Sequence, residues 1–144
     1  EYIDLKYASR LEVLKMINCN LNTIDLSFLK YLKEIDLSDN ELEQLDLTGA
    51  NFYFDKSIIY LNVANNKLNN IDLGDFKDNI IELNASNNQL TELDLEEATA
   101  LRHLNVSNNN IMELDLANCE SLTYLNITNN KIYDLRHEKL VKFI

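Results

Sequence analysis

The stretch LRHLNVSNNNI, residues 101–111, contains the pattern that decides the fold. Apolar residues stand at its positions 1, 4, 6 and 11, and an asparagine stands at position 9. Copies of this phrase begin 21, 26, 22, 21 and 21 residues apart, at Leu11, Leu32, Ile58, Ile80, Leu101 and Leu122. A period of about 20 to 29 residues with this pattern predicts a solenoid in which each repeat forms one coil.

Two short alternations within each repeat predict how a coil is built. Positions 4 to 6 read apolar, exposed, apolar, which is the period of a short strand. Positions 14 to 16 repeat the alternation around an aspartate, as in Leu114-Asp115-Leu116, so we expect an extended return side. About five residues remain before the next repeat, which is too few for a stable helix. No coil can bury its apolar side chains alone, so stacked coils must build the core.

The asparagine at position 9 falls where the chain turns off the strand. We expect its amide to be buried and to bond to backbone groups of the turn, coil after coil. Cys19 takes this place in the first repeat, a substitution that repeat arrays tolerate.

The motif L-x-x-L-x-L-x-x-N-x-L, met from Leu11 to Ile132, resembles that of the leucine-rich repeat family. The short unit followed by Leu-Asp-Leu is similar to bacterial repeats such as those of the internalin group, and to short repeats of intracellular eukaryotic scaffolds. The resemblance implies a solenoid of the α/β-horseshoe type, with a parallel sheet on the concave face and a mostly extended or irregular convex side with little helix. It also implies a role in protein recognition.

The whole chain, residues 1–144, is expected to form a single repeat array. Residues 1–10 are a partial repeat, because the stretch from Ile3 to Leu5 corresponds to positions 14 to 16. After Leu135 the pattern ends. Terminal repeats of solenoids normally carry caps, and neither end has a recognisable one. We therefore expect a fragment of a longer protein that is able to self-associate through uncapped ends.

The acidic composition excludes several classes of partner. The chain has 24 Asp and Glu residues against 13 Lys and Arg residues, a net charge of -11. Nucleic acid is not expected as a partner, because affinity for it comes mainly from basic side chains that neutralise phosphates. An anionic membrane surface is disfavoured for the same reason, and the absence of any run of about 18 apolar residues argues against membrane insertion.

The two cysteines, Cys19 and Cys119, are predicted to be free thiols. They lie on the order of 20 Å apart in a stack of coils, whereas a disulfide needs Cα atoms within about 7 Å. Cys119 stands where other repeats carry alanine or leucine, so we expect a buried apolar residue rather than a reactive thiol. Free thiols favour an intracellular location or the bacterial cell surface over a eukaryotic secreted protein.

The sequence has no recognisable catalytic constellation. With two histidines and two glycines it offers no glycine-rich phosphate loop, and no Cys/His cluster has metal spacing. An open, water-washed sheet face is also poor for catalysis, which favours concave and partly dry pockets. We therefore expect no enzyme and no cofactor. The position-15 aspartates, from Asp4 to Asp115, raise the alternative of calcium bound between coils, but the lack of glycine-rich spacing favours a solvated outer face and no metal.

The residues that the repeat leaves free on the sheet face form the candidate binding site. Positions 2, 3, 5, 7 and 8 are expected to face solvent there. Aromatic residues and arginine dominate interface energies, so we expect a protein partner to contact the aromatic, charged and amide side chains of this face. They are Tyr60, Glu82, His103 and Tyr124 at position 3, Arg102 at position 2, and Asn62, Asn84, Asn105 and Asn126 at position 5.

Three of these asparagines begin glycosylation sequons, namely Asn84-Ala-Ser, Asn105-Val-Ser and Asn126-Ile-Thr. A sequon of this type is a glycan acceptor in secreted proteins. Glycans on adjacent strands about 4.8 Å apart would crowd each other, so we interpret the sequons as by-products of the repeat.

The period breaks at one place, between Leu47 and Ile58. Ten residues separate them instead of five, and the extra length carries Phe52, Tyr53 and Phe54. Insertions in repeat arrays map to loops, so these rings either form a further contact site or fold back over a widened coil.

These features favour a protein-protein interaction module that binds a protein partner through its concave sheet face. Two alternatives stay open. One is a structural spacer or assembly scaffold that stacks through uncapped ends, and the other is a repeat of a bacterial surface adhesin.

Overall fold

The computed structural model describes residues 3–48 and 60–136. Within these ranges the chain forms strands of three residues each and one turn of 3-10 helix, η1, at Gly74–Phe76. The strands are β1 Val13–Lys15, β2 Glu34–Asp36, β3 Gln44–Asp46, β4 Tyr60–Asn62, β5 Asn70–Asp72, β6 Glu82–Asn84, β7 His103–Asn105, β8 Glu113–Asp115, β9 Tyr124–Asn126 and β10 Asp134–Arg136.

One parallel sheet runs through all six repeats in the order β1-β2-β4-β6-β7-β9. Each repeat contributes the strand formed by its positions 3 to 5. Neighbouring strands pair without a register shift, so Leu83 faces Leu61 on one side and Leu104 on the other. The predicted parallel sheet is therefore confirmed, and residues at one repeat position form a row across it.

The return side of the coils is extended, as predicted, but its strands pair only two by two. β3 pairs with β5 and β8 pairs with β10, both in parallel. The segment 92–94 of the fourth repeat, which lies between these pairs, is not a strand. Within the described ranges, helical structure never reaches the length and apolar character that a membrane span requires.

Gly74 begins η1 in a left-handed conformation and close to the backbone of the preceding coil. Its φ is +53°, in the left-handed region that residues with a Cβ rarely adopt. A Cβ at this place would lie 3.0 Å from the Thr48 Cα atom of the preceding coil. The close approach of these two coils therefore requires the glycine.

Apolar side chains from positions 1, 4, 6, 11, 14 and 16 fill the space between the sheet and the return side. In the second repeat each of them is at most 3% exposed. Burial of one such side chain contributes about 1.5–3 kcal/mol, and the stacking of neighbouring coils is what achieves it. The six residues of the second repeat are Leu32, Ile35, Leu37, Leu42, Leu45 and Leu47.

Both cysteines are unpaired, as predicted. Cys119 belongs to the core, with 1% of its surface exposed. Its burial, together with the negative charge of Asp115, raises the pKa of its thiol to about 11. At neutral pH this sulfur is therefore a protonated, buried group, in agreement with the prediction of an apolar role.

The asparagine at position 9 joins consecutive coils from inside, as predicted. The Asn88 side-chain oxygen accepts a hydrogen bond from the Leu68 N–H of the preceding coil at 2.9 Å. Its amide nitrogen donates to the carbonyl oxygens of Val63, Ala85 and Ser86 at 3.0, 3.2 and 3.2 Å. Corresponding bonds to the preceding coil are made by Asn40, Asn66, Asn109 and Asn130.

The aspartate at position 15 turns the chain off the return side. The Asp46 carboxylate accepts hydrogen bonds from the Thr48 N–H at 2.8 Å and the Thr48 hydroxyl at 2.6 Å. All the aspartates of this ladder are exposed, so it is a solvated outer face that also closes turns. Among the residues described, no group of three or more His, Cys, Asp and Glu side chains could hold a metal ion. The bond to the N–H two residues on is also made by Asp4, Asp25, Asp72, Asp94 and Asp115.

Asn88→Ala should destabilise the fold strongly. The substitution leaves the buried Leu68 N–H and three carbonyl oxygens without this partner, and an unsatisfied buried polar group costs about 1–3 kcal/mol. We expect the free energy of unfolding in urea to fall by about 2–4 kcal/mol. The exposed Asn69→Ala is the matched control and should change it by less than about 0.5 kcal/mol. Equal losses in the two variants would contradict the role of the asparagine ladder.

Acidification should weaken the position-15 turns. Hydrogen bonds from Ser27 and Thr48 lower the pKa of Asp25 and Asp46 below the ordinary value. The folded pKa is then below the unfolded one of about 4, so this stabilisation is present above pH 4 or so and is lost as pH falls through the folded pKa. The double variant Asp25→Asn/Asp46→Asn keeps acceptor oxygens that do not titrate. It should show a shallower fall of Tm between about pH 4 and 2, and an unchanged slope would contradict the assignment.

Candidate functional site

The sheet register places the predicted position-3 residues in one row. Tyr60 pairs with Glu82, Glu82 with His103, and His103 with Tyr124, on β4, β6, β7 and β9. Strands of a sheet are about 4.8 Å apart, so the row extends about 14 Å from Tyr60 to Tyr124. Position 3 alternates with the buried leucines of position 4, and the row therefore faces away from the core. We refer to these four residues as the position-3 row.

A hollow of about 350 Å³ lies on this row. The residue Leu83, which is 2% exposed, belongs to its lining as part of the core beneath. The other six lining residues all belong to the nine sheet-face residues predicted from the sequence. They are Tyr60, Glu82, Asn84, His103, Asn105 and Tyr124.

Weak contacts order the side chains of the row without closing it to solvent. The His103 Nδ1 atom lies 3.2 Å from Glu82 Oε1, and the two side chains are 51% and 45% exposed. The rings of His103 and Tyr124 meet edge to face, with their centroids 6.0 Å apart. An exposed pair of charged groups contributes at most about 1 kcal/mol. These contacts therefore hold the side chains of the row only weakly in place.

The position-5 asparagines form a second row, and their side-chain oxygens belong to the fold. The Asn84 oxygen accepts hydrogen bonds from the Ser86 N–H at 3.2 Å and from the Ser86 hydroxyl at 2.8 Å. A hydroxyl residue two places after the asparagine thus closes the turn, which gives the sequons a structural origin. The same bonds join Asn105 to Ser107, Asn126 to Thr128 and, through the backbone N–H, Asn62 to Ala64.

The expectation that position 7 faces solvent is wrong for the inner repeats. Each inner repeat has a neighbouring coil on both sides, and its position-7 residue is small. The first and last repeats differ, since Ile17 and Thr128 are exposed. The inner position-7 residues, which are 5–6% exposed, are Ser38, Ala64, Ser86 and Ser107.

Position 8 is exposed, as expected, but the backbone determines its residue type. Every position-8 residue has a φ between +54° and +58°. Among residues with a side chain, Asn and Asp are several-fold enriched in this left-handed region. An Asn or Asp at this place in each repeat therefore indicates a turn rather than a ligand contact. The residues are Asn18, Asp39, Asn65, Asn87, Asn108 and Asn129.

Three predicted contact residues do not line the hollow. Arg102, at position 2, is exposed, and its backbone oxygen accepts a hydrogen bond from the Tyr124 N–H at 3.0 Å. The Asn62 amide donates to the Asp36 carboxylate at 3.2 Å, and Asn126 ends strand β9. The insertion residues Phe52, Tyr53 and Phe54 lie outside the described residues.

A second hollow of about 360 Å³ adjoins the first and shares Tyr60 and Glu82 with it. Its other lining residues are Lys15, Glu34 and Asp36, which the sequence-based contact set does not contain. Tyr60 is half-buried, and its burial, followed by the negative charges of Asp36 and Glu82, raises the pKa of its phenol. Their repeat positions could have identified these residues from the sequence, because positions 3 and 5 are the ones that stand beside Tyr60 on the sheet face.

The return side carries a groove of about 400 Å³ that the sequence does not predict. It opens where segment 92–94 interrupts the pairing of the return strands. The Lys77 ammonium pairs with Asp94 there, and this contact raises the pKa of Lys77 and lowers that of Asp94. The groove therefore results from the missing strand pairing at 92–94, and an ion pair lies within it. Its carboxylates are Asp72, Glu92, Asp94, Glu113 and Asp115.

Comparison with known proteins relates this architecture to a repeat family. A family profile described as leucine-rich repeats in two copies matches residues 99–137. The functional domain of InlJ from Listeria monocytogenes, described as including a cysteine ladder, is similar in structure with a TM-score of 0.65 and 26% sequence identity. The similarity covers 90% of this chain and 32% of that chain, so the present chain spans about a third of its length. No curated protein matches the chain.

Asn84→Ala and Asn84→Asp should separate the structural and surface roles of position 5. The alanine variant leaves the Ser86 N–H and hydroxyl without an acceptor, and we expect the free energy of unfolding in urea to fall by about 1–2 kcal/mol. The aspartate variant should retain most of the stability, because Asp36 makes the same two bonds in the second repeat. Equal losses in both variants would contradict the assignment of the side-chain oxygen as the acceptor of this turn.

Proposed function

The chain belongs to the leucine-rich repeat family, and on that premise we propose that it is a protein-interaction module that binds a protein partner through its concave sheet face. The family's fold is commonly an interaction scaffold without enzymatic activity. The partner itself is expected to be a protein and not a nucleic acid, because the net charge of -11 opposes binding to phosphates.

The position-3 row is the observation that carries this proposal. Tyr60 and Tyr124 stand at its two ends, with Glu82 and His103 between them, and all four border one hollow. Tyrosine is enriched among the residues that dominate interface energies, especially where it meets a pocket and a surrounding ring of polar contacts. The side-chain amides of Asn84 and Asn105 supply such polar contacts beside the rings.

The dimensions of the face suit a protein better than a small molecule. The six strands from β1 to β9 span about 24 Å at 4.8 Å per strand, which is the width of a protein-protein contact area. Small-molecule sites enclose most of their ligand in a deep apolar cavity, whereas His103 and Glu82 are about half exposed. The same exposure argues against a catalytic use of this pair, because acid-base chemistry benefits from a water-excluded site.

The double variant Tyr60→Ala/Tyr124→Ala should lose partner binding while it keeps the fold. The partner is captured from extracts of the source organism on the immobilised chain, and its Kd is then measured by calorimetry. Removal of two aromatic anchors costs at least about 2 kcal/mol, so we expect Kd to increase about 30-fold or more. Tm should change by only a few degrees, since Tyr124 is 50% exposed and Tyr60 is half-buried.

Tyr7→Ala/Tyr133→Ala is the matched control, because these tyrosines are 86% and 72% exposed and lie off the sheet. It should leave Kd unchanged within about twofold. Binding that survives the loss of Tyr60 and Tyr124, or that falls equally in the control, would contradict the sheet face as the binding surface. Light scattering on the same samples should report the molar mass of a monomer. A molar mass that increases with protein concentration would favour an assembly scaffold instead.

A further inference from the structure

The two adjoining hollows of the sheet face differ in charge. The hollow at the β1 side contains the carboxylates of Glu34, Asp36 and Glu82 against one ammonium, that of Lys15, among its lining residues. The other hollow shares Glu82 but is otherwise lined by His103, two amides, two tyrosine rings and a leucine. We refer to the first as the anionic hollow. One end of the face is therefore negative, and the other is aromatic and nearly neutral.

The sheet register explains why negative charge collects around Tyr60. Glu34 and Glu82 are the register partners of Tyr60 on the two strands that flank β4, about 4.8 Å away in each direction. Asp36 stands two residues further along β2, where its carboxylate accepts a hydrogen bond from Asn62 of β4. The half-buried phenol is thus bordered by carboxylates from both neighbouring coils.

Within residues 3–48 and 60–136, the groups around this hollow compensate its charge only in part. Lys15 lies 3.9 Å from Glu34, and both side chains are about half exposed, so the pair is weak. The imidazole of His103 approaches Glu82 at the far side of the hollow and is charged only when protonated. A cation from a partner would meet several carboxylates suited to charge-assisted hydrogen bonds and a tyrosine ring suited to a cation–π contact.

We propose that the partner is a protein segment that places an arginine or lysine side chain in the anionic hollow beside Tyr60 and an apolar side chain beside Tyr124. This rests on the proposed function, because it specifies the chemistry of a segment bound by the same face. An acidic segment would be repelled by the three carboxylates. Charge complementarity therefore selects the basic partner and fixes its orientation along the row.

The spacing of the two anchors follows from the sheet. Tyr60 and Tyr124 lie three strand spacings apart, about 14 Å. An extended segment that crosses the strands spans about 3.3 Å per residue. The basic and the apolar side chain are therefore about four residues apart in the partner sequence.

Selection of a random peptide library on phage against the whole chain tests this chemistry. We expect the selected peptides to carry Arg or Lys about four residues from an apolar residue. The Kd of a synthetic selected peptide should increase at least about tenfold when citrulline or glutamine replaces its basic residue, and also when the chain carries Glu34→Gln/Glu82→Gln. Glu43→Gln/Glu92→Gln removes the same charge from exposed places on the return side. It should change Kd by less than about twofold.

Three outcomes would overturn the inference. Peptides that need Tyr60 and Tyr124, yet share no basic residue and bind Glu34→Gln/Glu82→Gln as tightly as the unaltered chain, would refute it and leave the proposed function standing. Peptides that bind the Tyr60→Ala/Tyr124→Ala variant unchanged would refute both. Equal weakening by the two charge variants would also refute the inference, because net charge alone would then account for the attraction.

Discussion

The buried asparagines of position 9 make hydrogen bonds that hold each coil against the one before it. The rest of the structure depends on these bonds. A single coil can neither bury its leucines nor satisfy the backbone groups where it turns off the strand. The Asn88 side-chain amide satisfies such backbone groups in two coils, namely the Leu68 N–H of the preceding coil and the Ala85 carbonyl of its own coil. Because the bond recurs at the same repeat position, successive strands align without a register shift, and the leucines stack into one core.

The fixed register turns repeat positions into rows of side chains. Packing in the core fixes the residue types at positions 4, 6 and 9. Position 3 faces away from the core, so packing does not fix its residue type. Tyr60, Glu82, His103 and Tyr124 therefore differ from each other while they stand in line. Position 5 is an intermediate case, because the Asn84 oxygen closes a turn while the residue still lines the hollow. The turn bonds of position 5 and the proposed contact residues of position 3 thus lie on one surface, and position 3 is the part in which the residue type differs between repeats.

Much of the fold could be predicted from the sequence, because apolar periodicity indicates which side chains point inward. The extended return side follows from that signal, whereas the parallel sheet follows from the resemblance to the leucine-rich repeat family. The inward Asn88 follows from its place where the chain turns off the strand. The burial of Ser86 does not, because periodicity cannot show that a hydroxyl bonds the side-chain oxygen two residues earlier. The left-handed backbone of Asn108 is likewise hidden, since its asparagine looks like an ordinary surface amide. The anionic hollow is missed because Glu34 and Glu82 come from different repeats and become neighbours only through the register.

Native-state hydrogen exchange at the Leu68 and Leu90 amides most directly tests whether the asparagine ladder holds the register. Both N–H groups donate to a side-chain oxygen of the following coil's asparagine. If the ladder is the main constraint, these amides exchange only through global unfolding, and their exchange free energy equals the unfolding free energy measured in urea. An exchange free energy at Leu68 and Leu90 that is lower by several kcal/mol, while the amides of β4, β6 and β7 stay protected, would contradict the claim that the asparagine ladder holds the register.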